Sequence, residues 1–479
     1  MEYQSTRSNY TLDSKSAVLA GIAPDGGLFV HPDIGSLGFD ASLAVTLPTL
    51  KIMEYVISTL LPDFKDIPSL VSQAFEGKFE TPDLTPLVKA GDNYVLELFR
   101  GPTSAFKDVA LSLLPVLIRH AGAKDTVTVL TATSGDTGKA ALEGFHDVPG
   151  TRIVVFYPHG GVSEIQKAQM VTQQGSNVHV CAVRGNFDNC QTGVKKAFAD
   201  LASRGLSSAN SINIGRLVPQ IVYYFSAYRD LIARGVITFG DKVDFVVPTG
   251  NFGDILAGYY ALLLGLPVGR LVCASNENKI LDDFLKTGVY DKRRPFFRTD
   301  SPSMDILVSS NLERLLFLAG GKTTVKVRQW MESLGRDGIF RVDDETLRAI
   351  SDVFVSGHAT REMTAEAIRM AWEKAGYLCD PHTAVAWHVA QQYKTESKTG
   401  NPVVILSTAS PYKFPQAVLG ALGRDTAGVG EFEMMRILNA ITGVPVPKNL
   451  ASLEGRPARF DTVIDIGEIT PYVESVLNG

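Results

Sequence analysis

The sequence predicts an α/β protein with mostly parallel sheets and helices on both faces, and two observations carry this prediction. First, short β-branched runs are each followed by a small-residue turn and a helical pattern, which is typical of βα units. Second, the 479 residues are 45% hydrophobic and 20% charged, as in ordinary folded proteins. The runs are VTVLTATSGDTG (127–138), RIVVFYPHG (152–160), NVHVCAVRG (177–185), DFVVPTGNFGD (244–254), RLVCASN (270–276) and VVILSTAS (403–410).

The texture of the chain suggests three parts, which the length readily accommodates. Residues 1–95 are rich in turn residues and are expected to form an N-terminal unit. Residues 96–424 contain the βα units, and we expect two α/β subdomains there, the smaller spanning roughly 125–220. Residues 425–479 are expected to form a peripheral C-terminal extension.

Charge and composition argue against several classes of protein. A net charge of -5, from 46 basic and 51 acidic residues, indicates no nucleic-acid partner. The longest apolar stretch, GYYALLLGLPVG, is too short to span a membrane, and MEYQSTRSNYTLD has no apolar region of a secretory signal, so we expect a cytoplasmic protein. The cysteines fit reduced, buried thiols, no metal spacing is found, and His382 is expected only to lie near a helix start.

Lys107 is the next-to-last residue of the segment RGPTSAFKD (100–108), where a helix is predicted to begin. Helical spacing places Leu111, Leu114 and Ile118 on the same side as Lys107, so this lysine is expected to face inward, although Pro115 would kink the helix. Two interpretations remain. The stem of the lysine covers apolar surface while its ammonium reaches water, or partial desolvation lowers the pKa and leaves an amine that forms a Schiff base.

Two small-residue loops each follow a strand and precede a helix. SGDTG (134–138) could surround an anion with its backbone amides, but it does not match an ATP-binding Walker A loop, and a plain structural turn is the alternative. PTGNFGD (248–254) contains Gly250 and Gly253, which would let backbone approach a ligand. It lacks the spacing of a dinucleotide-binding loop, so a single phosphate is the better fit.

Two further polar stretches give weaker indications. Thr408, at the end of the last clear strand, carries a hydroxyl that could hydrogen-bond a ring nitrogen. Asn210, Ser211, Asn213 and Arg216 form a polar cluster that could bind a second phosphate through a bidentate guanidinium. The alternative for this cluster is a capped helix start with a solvated arginine.

These stretches together resemble one known family. The family is that of the threonine synthases of enteric bacteria and fungi, and the similar stretches are ELFRGPTSAFKD, TATSGDTGKAA, YPHGGVSEIQKAQM, SANSINIGRLVPQ, VPTGNFGDILAG, DPHTAVA and STASPYKFP. The N-terminal YQSTR and APDGGLFV are similar to it as well, so the match runs in order from residue 3 to about 422. The pattern departs at Arg100 and Ser410, where the family often has histidine. The resemblance implies a tryptophan-synthase-β-like, fold type II pyridoxal-phosphate enzyme. It would convert O-phospho-L-homoserine and water to L-threonine and phosphate, the last step of threonine biosynthesis.

The resemblance also implies roles for individual residues. Lys107 would hold the cofactor as a Schiff base and move protons at the substrate. Asp136 would lie near the phenolic oxygen of the cofactor, with its charge offset by the protonated Schiff base or its pKa raised. Thr408 would meet the pyridine nitrogen. The remaining assignments are Gly250, Asn251, Phe252, Gly253 and Asp254 for the cofactor phosphate, Ser134, Gly135, Thr137 and Gly138 for the substrate carboxylate, and Ser211, Asn213, Arg216 and Lys413 for the leaving phosphate.

Other functions remain open at this point. Another lyase of the same cofactor fold, such as a phospholyase, a dehydratase or a cysteine-synthase-like enzyme, would keep the lysine and the glycine loops. A non-catalytic protein that binds a phosphate ligand would be expected to lack the Schiff-base lysine, yet Lys107 is present with its whole motif. In every case we expect a small-molecule partner, no nucleic acid, no membrane and no metal, in a monomer or homodimer.

Overall fold

The computed structural model describes residues 2–122, 126–201 and 204–478, without the side chain of residue 188. The strands are β1 (Glu2–Ser5), β2 (Thr11–Asp13), β3 (Phe29–Val30), β4 (Leu87–Ala90), β5 (Asn93–Glu97), β6 (Val127–Ala132), β7 (Thr151–Pro158), β8 (Val178–Val183), β9 (Leu206–Ser208), β10 (Val243–Pro248), β11 (Val268–Ser275), β12 (Val289–Asp291), β13 (Ile339–Arg341), β14 (Phe354–His358), β15 (Val403–Ser407) and β16 (Val463–Ile464).

The α-helices follow the same chain order. They are α1 (Ser14–Ala20), α2 (Ala41–Ala44), α3 (Thr49–Leu60), α4 (Ile67–Phe75), α5 (Lys107–His120), α6 (Asp136–Phe145), α7 (Glu164–Val171), α8 (Phe187–Asp200), α9 (Ile214–Leu217), α10 (Val222–Ala233), α11 (Gly253–Leu263), α12 (Ile280–Thr287), α13 (Leu312–Ala319), α14 (Thr324–Arg336), α15 (Asp344–Ser351), α16 (Arg361–Ala375), α17 (Pro381–Ser397), α18 (Pro415–Ala421), α19 (Glu431–Thr442), α20 (Lys448–Ala451) and α21 (Ile469–Asn478). Short 3-10 turns include Pro302–Met304 and Pro411–Lys413.

Two large sheets confirm the predicted α/β class. The six-stranded sheet has the order β14-β11-β10-β15-β5-β4 and is parallel except for β4, which pairs antiparallel with β5. The five-stranded sheet has the order β16-β8-β7-β6-β9 and is parallel throughout. Each β-branched run named in the sequence contributes a strand to one of these sheets.

Two of the expected parts of the chain share sheets with the βα region. The boundary at residue 95 falls inside β5, a strand of the six-stranded sheet. The segment expected to be a peripheral C-terminal extension provides β16 and α21, and Ile469 and Val473 of α21 are buried in one apolar cluster with Cys181. This segment is therefore part of the core around the five-stranded sheet, while the division into domains stays a prediction.

Helix α5 is buried on all faces, which exceeds the single inward stripe expected from the sequence. A helix that is apolar all round belongs in a core. Pro115 lies inside this helix and has no N–H to give to the Leu111 carbonyl. Gly144 of α6 lies directly against that carbonyl oxygen, and any β-carbon at this position would overlap it. The proline and the glycine thus let α5 and α6 pack closely, and these helices begin at Lys107 and Asp136.

Cys181, Cys190, Cys273 and Cys379 are buried and unpaired, as expected for reduced thiols. Among residues 2–122, 126–201 and 204–478, no helix is long and apolar enough to cross a membrane.

Candidate active site

The turn that precedes Lys107 is built by Asp108 folding back on it. The Asp108 carboxylate accepts hydrogen bonds from the Thr103 backbone N–H at 2.8 Å and from the Thr103 hydroxyl at 2.5 Å. Gly101 is required because a β-carbon there would lie 2.6 Å from the Asp108 side chain. This local structure explains the order of small residues in GPTSAFKD and fixes the start of α5.

Lys107, Asp136 and Lys413 form a buried ion cluster at the starts of two helices and in the turn after β15. The Lys107 ammonium nitrogen lies 3.8 Å from one Asp136 carboxylate oxygen. The Lys413 nitrogen lies 2.6 Å from the other oxygen and also donates to the Thr103 carbonyl at 3.3 Å. The Lys107 side chain is 9% exposed and that of Lys413 is fully buried, so the snorkelling interpretation of Lys107 is wrong.

The pKa values of Lys107 and Asp136 are both lowered, but for different reasons. Burial lowers the pKa of Lys107 to about 8, although Asp136 opposes the shift. Burial alone would raise the pKa of Asp136, but Lys413 and Lys107 outweigh it and hold that pKa below its usual range. Of the two alternatives expected for Asp136, the raised pKa is wrong, and neighbouring cations offset its charge. Lys413, which we expected at the leaving phosphate, pairs with Asp136, and its contact with a phosphate stays a prediction.

Gln166 covers Asp136, and the sequence analysis missed it. Its side-chain amide donates to the Asp136 carboxylate at 3.0 Å, and its own position is fixed by a capping box with Ser163 at the start of α7. Gly135 has a φ of 136°, and a β-carbon there would overlap the Gln166 side chain. The signal was present in YPHGGVSEIQKAQM, where serine precedes glutamine by three residues before a helical pattern.

The loop from Ser134 to Gly138 is partly occupied by its own chain. The backbone N–H groups of Gly135 and Gly138 donate to the Thr133 hydroxyl at 2.9 and 2.8 Å. Ser134 and Thr137 are half-buried. Two of the amides expected to meet the substrate carboxylate thus serve the loop itself, and the predicted binding role remains with Ser134 and Thr137.

The loop that begins α11 is held by the irregular segment 301–311. A β-carbon at Gly250 would lie 2.8 Å from the Ser303 carbonyl oxygen, so this glycine allows the approach of protein backbone. The Ser309 hydroxyl donates to the Gly250 carbonyl at 2.6 Å, and the Asn311 N–H donates to the Asn251 carbonyl at 3.0 Å. No regular pattern marks this segment in the sequence, and its supporting role was missed.

Two residues of this loop face inward. Phe252 has a left-handed φ of 65°, and its buried ring packs at 5.5 Å from that of Phe354. Asp254 accepts a hydrogen bond from the Tyr223 hydroxyl, its other oxygen has no partner among the described residues, and burial raises its pKa to about 7. Both had been expected around the cofactor phosphate, where a carboxylate would be repelled. The contacts of Phe252 with Phe354 and of Asp254 with Tyr223 hold the loop against the protein interior.

The cluster expected to bind a second phosphate separates into two kinds of residue. The Asn213 amide donates to the Val18 carbonyl at 2.9 Å, and its oxygen caps α9 by accepting from the Gly215 N–H. Asn213 is therefore a structural cap, and its assignment to the leaving phosphate is not supported. Arg216 is 2% exposed, so the alternative of a solvated arginine is wrong. Ser211 is half-buried beside them.

Arg216 is a buried cation without an anionic partner in the described ranges of the chain. One guanidinium nitrogen donates to the Ala209 carbonyl at 2.6 Å, while Nε has no hydrogen-bond partner there. Burial lowers its pKa to about 10, which leaves it charged at neutral pH. An unpaired, buried guanidinium is costly unless a ligand brings an anion to it.

Thr408 lies beside the turn that leads into Lys107. Its carbonyl accepts the Phe106 N–H at 2.8 Å, and its own N–H donates to the Thr383 hydroxyl at 3.3 Å. The Thr408 hydroxyl has no hydrogen-bond partner in the part of the chain that the structure describes. The hydrogen bond from Phe106 places Thr408 beside the residue that precedes Lys107. Its hydroxyl is able to hydrogen-bond a ring nitrogen.

The two departures from the family pattern are engaged by neighbouring groups. Arg100 forms ion pairs with Glu97 at 2.6 Å and with Glu80 at 3.1 Å. The Ser410 hydroxyl accepts from the Tyr412 N–H at 3.3 Å and caps the short turn that carries Lys413. Both residues therefore support local structure at the edge of the cluster.

Comparison with known proteins shows where this arrangement belongs. A family model described as pyridoxal-phosphate dependent enzyme matches residues 80–409, and one described as threonine synthase, C-terminal, matches residues 383–473. The threonine synthase of Pseudomonas aeruginosa is 40% identical over 443 residues, which cover 90% of this chain and 91% of that protein. The chain belongs to the threonine synthase family.

Other members of the threonine synthase family agree in sequence and in structure. The threonine synthase of Saccharomyces cerevisiae is 38% identical, with 88% of this chain and 89% of that protein covered. A solved structure of PLP-bound threonine synthase from Brucella melitensis matches with a TM-score of 0.87 at 39% identity, covering 100% of this chain and 99% of that chain. Human threonine synthase-like 1 is 38% identical over 91% of this chain, which spans 62% of that longer protein.

The residues present fit a pyridoxal phosphate, the group for which the wider family is named. Lys107 offers a buried amine with a pKa near 8, and Thr408 offers an unpartnered hydroxyl. Lys107 and Lys413 share Asp136, while Arg216, whose charge acts on Lys107, has no anionic partner among the described residues. A phosphorylated ligand with a carbonyl and a ring nitrogen would satisfy these groups.

Proposed function

We propose that this chain is a threonine synthase that uses pyridoxal phosphate to convert O-phospho-L-homoserine and water into L-threonine and phosphate. The observation that carries the proposal is the pairing of a buried, low-pKa Lys107 with the unpaired, buried Arg216. The first suits covalent cofactor binding and proton transfer. The second suits a phosphate dianion.

Each of the chain's groups then has a separate task. When bound, the cofactor supplies an electron sink for negative charge that develops on the substrate. Lys107 holds the cofactor and, once free, moves protons at the substrate's Cα and Cβ. Thr408 offers a neutral hydroxyl to the ring nitrogen, which cannot hold a proton there as a carboxylate would, and this favours elimination and replacement over transamination.

Arg216 acts on the leaving phosphate. Negative charge on the phosphate grows as the Cγ–oxygen bond breaks, so a fixed guanidinium stabilises the transition state more than the ground state. Ser134 and Thr137 are the candidates for the substrate carboxylate, next to Gln166, which holds Asp136 in place. Asn251, at the start of α11, remains a candidate for the cofactor phosphate, together with the backbone of Gly250, Phe252, Gly253 and Asp254.

The reaction would belong to threonine biosynthesis and take place in the cytoplasm. The buried, unpaired cysteines support a reducing compartment. The monomeric or homodimeric state expected from the sequence stays a prediction.

The test is to incubate the full-length chain, pyridoxal phosphate and O-phospho-L-homoserine, and to quantify threonine, free phosphate and keto acid in one reaction. Equal amounts of threonine and phosphate support the proposal. Phosphate released with keto acid and ammonia would instead assign a phospholyase. The absence of phosphate release above a no-enzyme control would overturn the proposed reaction.

A further inference from the structure

The motif DPHTAVA begins α17 with a network of buried side chains that the proposed reaction does not use. One Asp380 oxygen accepts from the His382 backbone N–H at 2.9 Å and from the His382 ring nitrogen Nδ1 at 2.7 Å. The other oxygen accepts from the Thr383 N–H at 3.3 Å and from the Thr383 hydroxyl. All three side chains are nearly inaccessible to water. His382 and Thr383 are thereby locked in single orientations by one carboxylate.

Thr383 uses its remaining capacity on the end of β15. Its hydroxyl proton is given to Asp380, so its lone pairs are left to accept. They receive the Thr408 backbone N–H at 3.3 Å and lie 3.1 Å from the Ser407 hydroxyl. Thr383 therefore fixes the backbone of Thr408, the residue whose hydroxyl is proposed to meet the ring nitrogen.

His382 uses its other nitrogen on the opposite side. Because Nδ1 donates to Asp380, Nε2 is free to accept, and it receives the Ser303 backbone N–H at 3.2 Å. The Ser303 carbonyl oxygen is the group that lies against Gly250. Ser309 continues the contact by donating to the Gly250 carbonyl at 2.6 Å. His382 is thus connected to the loop at the start of α11 through one residue.

We propose that His382 and Thr383 are positioning residues that hold the two ends of the cofactor site from one helix start. Thr383 sets the ring-nitrogen end through Thr408, and His382 sets the phosphate end through Ser303 and Gly250. This inference rests on the proposed cofactor and on the assignment of its phosphate to the loop at Gly250. His382 lies at a helix start, as expected, and its contact with Ser303 was not expected.

The phosphate end is tested by comparing two ligands that differ only in the phosphate. The full-length chain, freed of cofactor, is titrated with pyridoxal phosphate and with pyridoxal, and bound ligand is measured by absorbance. In His382→Asn the side-chain amide can still reach Asp380 but not Ser303. We expect its dissociation constant for pyridoxal phosphate to rise about tenfold, the effect of one lost buried hydrogen bond, while that for pyridoxal changes less than about twofold.

Two further variants test the phosphate end, so that the result does not depend on whether His382→Asn folds. His382→Gln places an oxygen near the position of Nε2 and is expected to recover most of the affinity. Ser309→Ala removes the other support of the Gly250 carbonyl and is expected to weaken pyridoxal phosphate alone, as His382→Asn does. Thermal unfolding of each cofactor-free variant identifies any that are misfolded.

The ring end is tested with a matched pair at Thr383. Thr383→Val keeps the shape but cannot accept the Thr408 N–H, so we expect both ligands to bind more weakly by similar factors of about tenfold. Thr383→Ser keeps the hydroxyl and is expected to stay within about twofold of the original chain. The absorbance maximum of the bound cofactor should shift in Thr383→Val and not in His382→Asn.

The outcomes separate this inference from the proposed function. If the unmodified chain binds no pyridoxal phosphate, the proposed function itself fails. If it binds, but His382→Asn weakens both ligands equally or Thr383→Val weakens neither, the two-ended positioning is refuted while the cofactor assignment stands.

Discussion

Arg216 carries its charge in a place where no carboxylate of the described residues offsets it, so we expect stability and activity to conflict at this residue. Arg216→Met removes the buried cation, and the free energy of unfolding of the cofactor-free protein should rise by about 1 kcal/mol. The same variant should lose about a hundredfold in kcat/KM for O-phospho-L-homoserine. Denaturant titration and steady-state kinetics measure the two effects. A variant that is both less stable and fully active would contradict the proposed role.

Lys107 can be tested against a second buried lysine of similar exposure. Lys107→Ala should abolish the visible absorbance of the lysine-bound cofactor and lower turnover by about a thousandfold or more. Lys139 is the control, because it lies in α6 and its ammonium is held by Glu143 at 2.9 Å and by Gln173. Lys139→Ala should keep turnover within a few-fold of the original chain. Equal losses in both variants would indicate a general effect of removing buried lysines.

The protonation of Asp254 predicts how stability depends on pH. A carboxyl in an unfolded chain titrates near pH 4, whereas burial raises the pKa of Asp254 to about 7. The folded cofactor-free protein therefore binds an extra proton between these values, and the associated stability is lost as the pH rises through 7. Asp254→Asn mimics the protonated carboxyl. It should match the original chain at pH 4 and be more stable by a few kcal/mol at pH 8, measured by urea unfolding; a constant difference across pH would contradict this.

At the scale of residues, the sequence predicts where a side chain lies along the chain better than it predicts its contacts. Lys107 lies at a helix start and Thr408 at a strand end, as the pattern predicts, while their chemical roles stay predictions. The Asn213 side chain is oriented by the Val18 carbonyl and the Lys413 side chain by Asp136, and both partners are distant in the chain. Local spacing contains no information about such partners, so these two contacts could not be predicted from the sequence.

Among the elements, the close packing of α5 and α6 sets the distance between Lys107 and Asp136. Gly144→Ala would push its new methyl group into the Leu111 carbonyl, so we expect a loss of about 2 kcal/mol in the free energy of unfolding and a fall in turnover. Chemical denaturation and kinetics of the purified variant measure both.

Gly335→Ala is the matched control for this substitution. Gly335 lies in α14, where a β-carbon would meet no heavy atom within 4 Å, so alanine there should raise stability by about 0.5 to 1 kcal/mol. If Gly144→Ala behaved like Gly335→Ala, the packing of α5 against α6 would not depend on this contact.

The elements themselves were largely predictable, and the exceptions have a physical cause. Strands β6, β7, β8, β10, β11 and β15 appear as β-branched runs because both faces of a parallel strand are buried. The segment 301–311 supports the loop at Gly250 with no α-helix or strand, only the short 3-10 turn Pro302–Met304. Its hydrogen bonds use backbone groups and serine hydroxyls that follow no period, so hydrophobic patterning could not reveal it.

For the molecule as a whole, the βα pattern predicted the α/β class, and the resemblance carried by short motifs implied the pyridoxal-phosphate enzyme fold. Those motifs lie at strand ends and helix starts. The resemblance ended near residue 422, so residues 425–479 were expected only to form a peripheral extension. The pairing of Val463 with Ala182 and of Ile464 with Val183 joins residues far apart in the chain. A strand as short as β16 has too little sequence pattern to be recognised without its partner.

The same pairing has a consequence for synthesis on the ribosome. Helix α6, which supplies Asp136, follows a strand of the five-stranded sheet, and β6, β7 and β8 are all translated early. The edge of β8 nevertheless stays unpaired, and the apolar cluster around Cys181 stays uncovered, until residues 463–478 have left the exit tunnel. Nascent chains would therefore carry an open strand edge through most of elongation, and this interval is when we expect chaperone binding or pairing between neighbouring nascent chains.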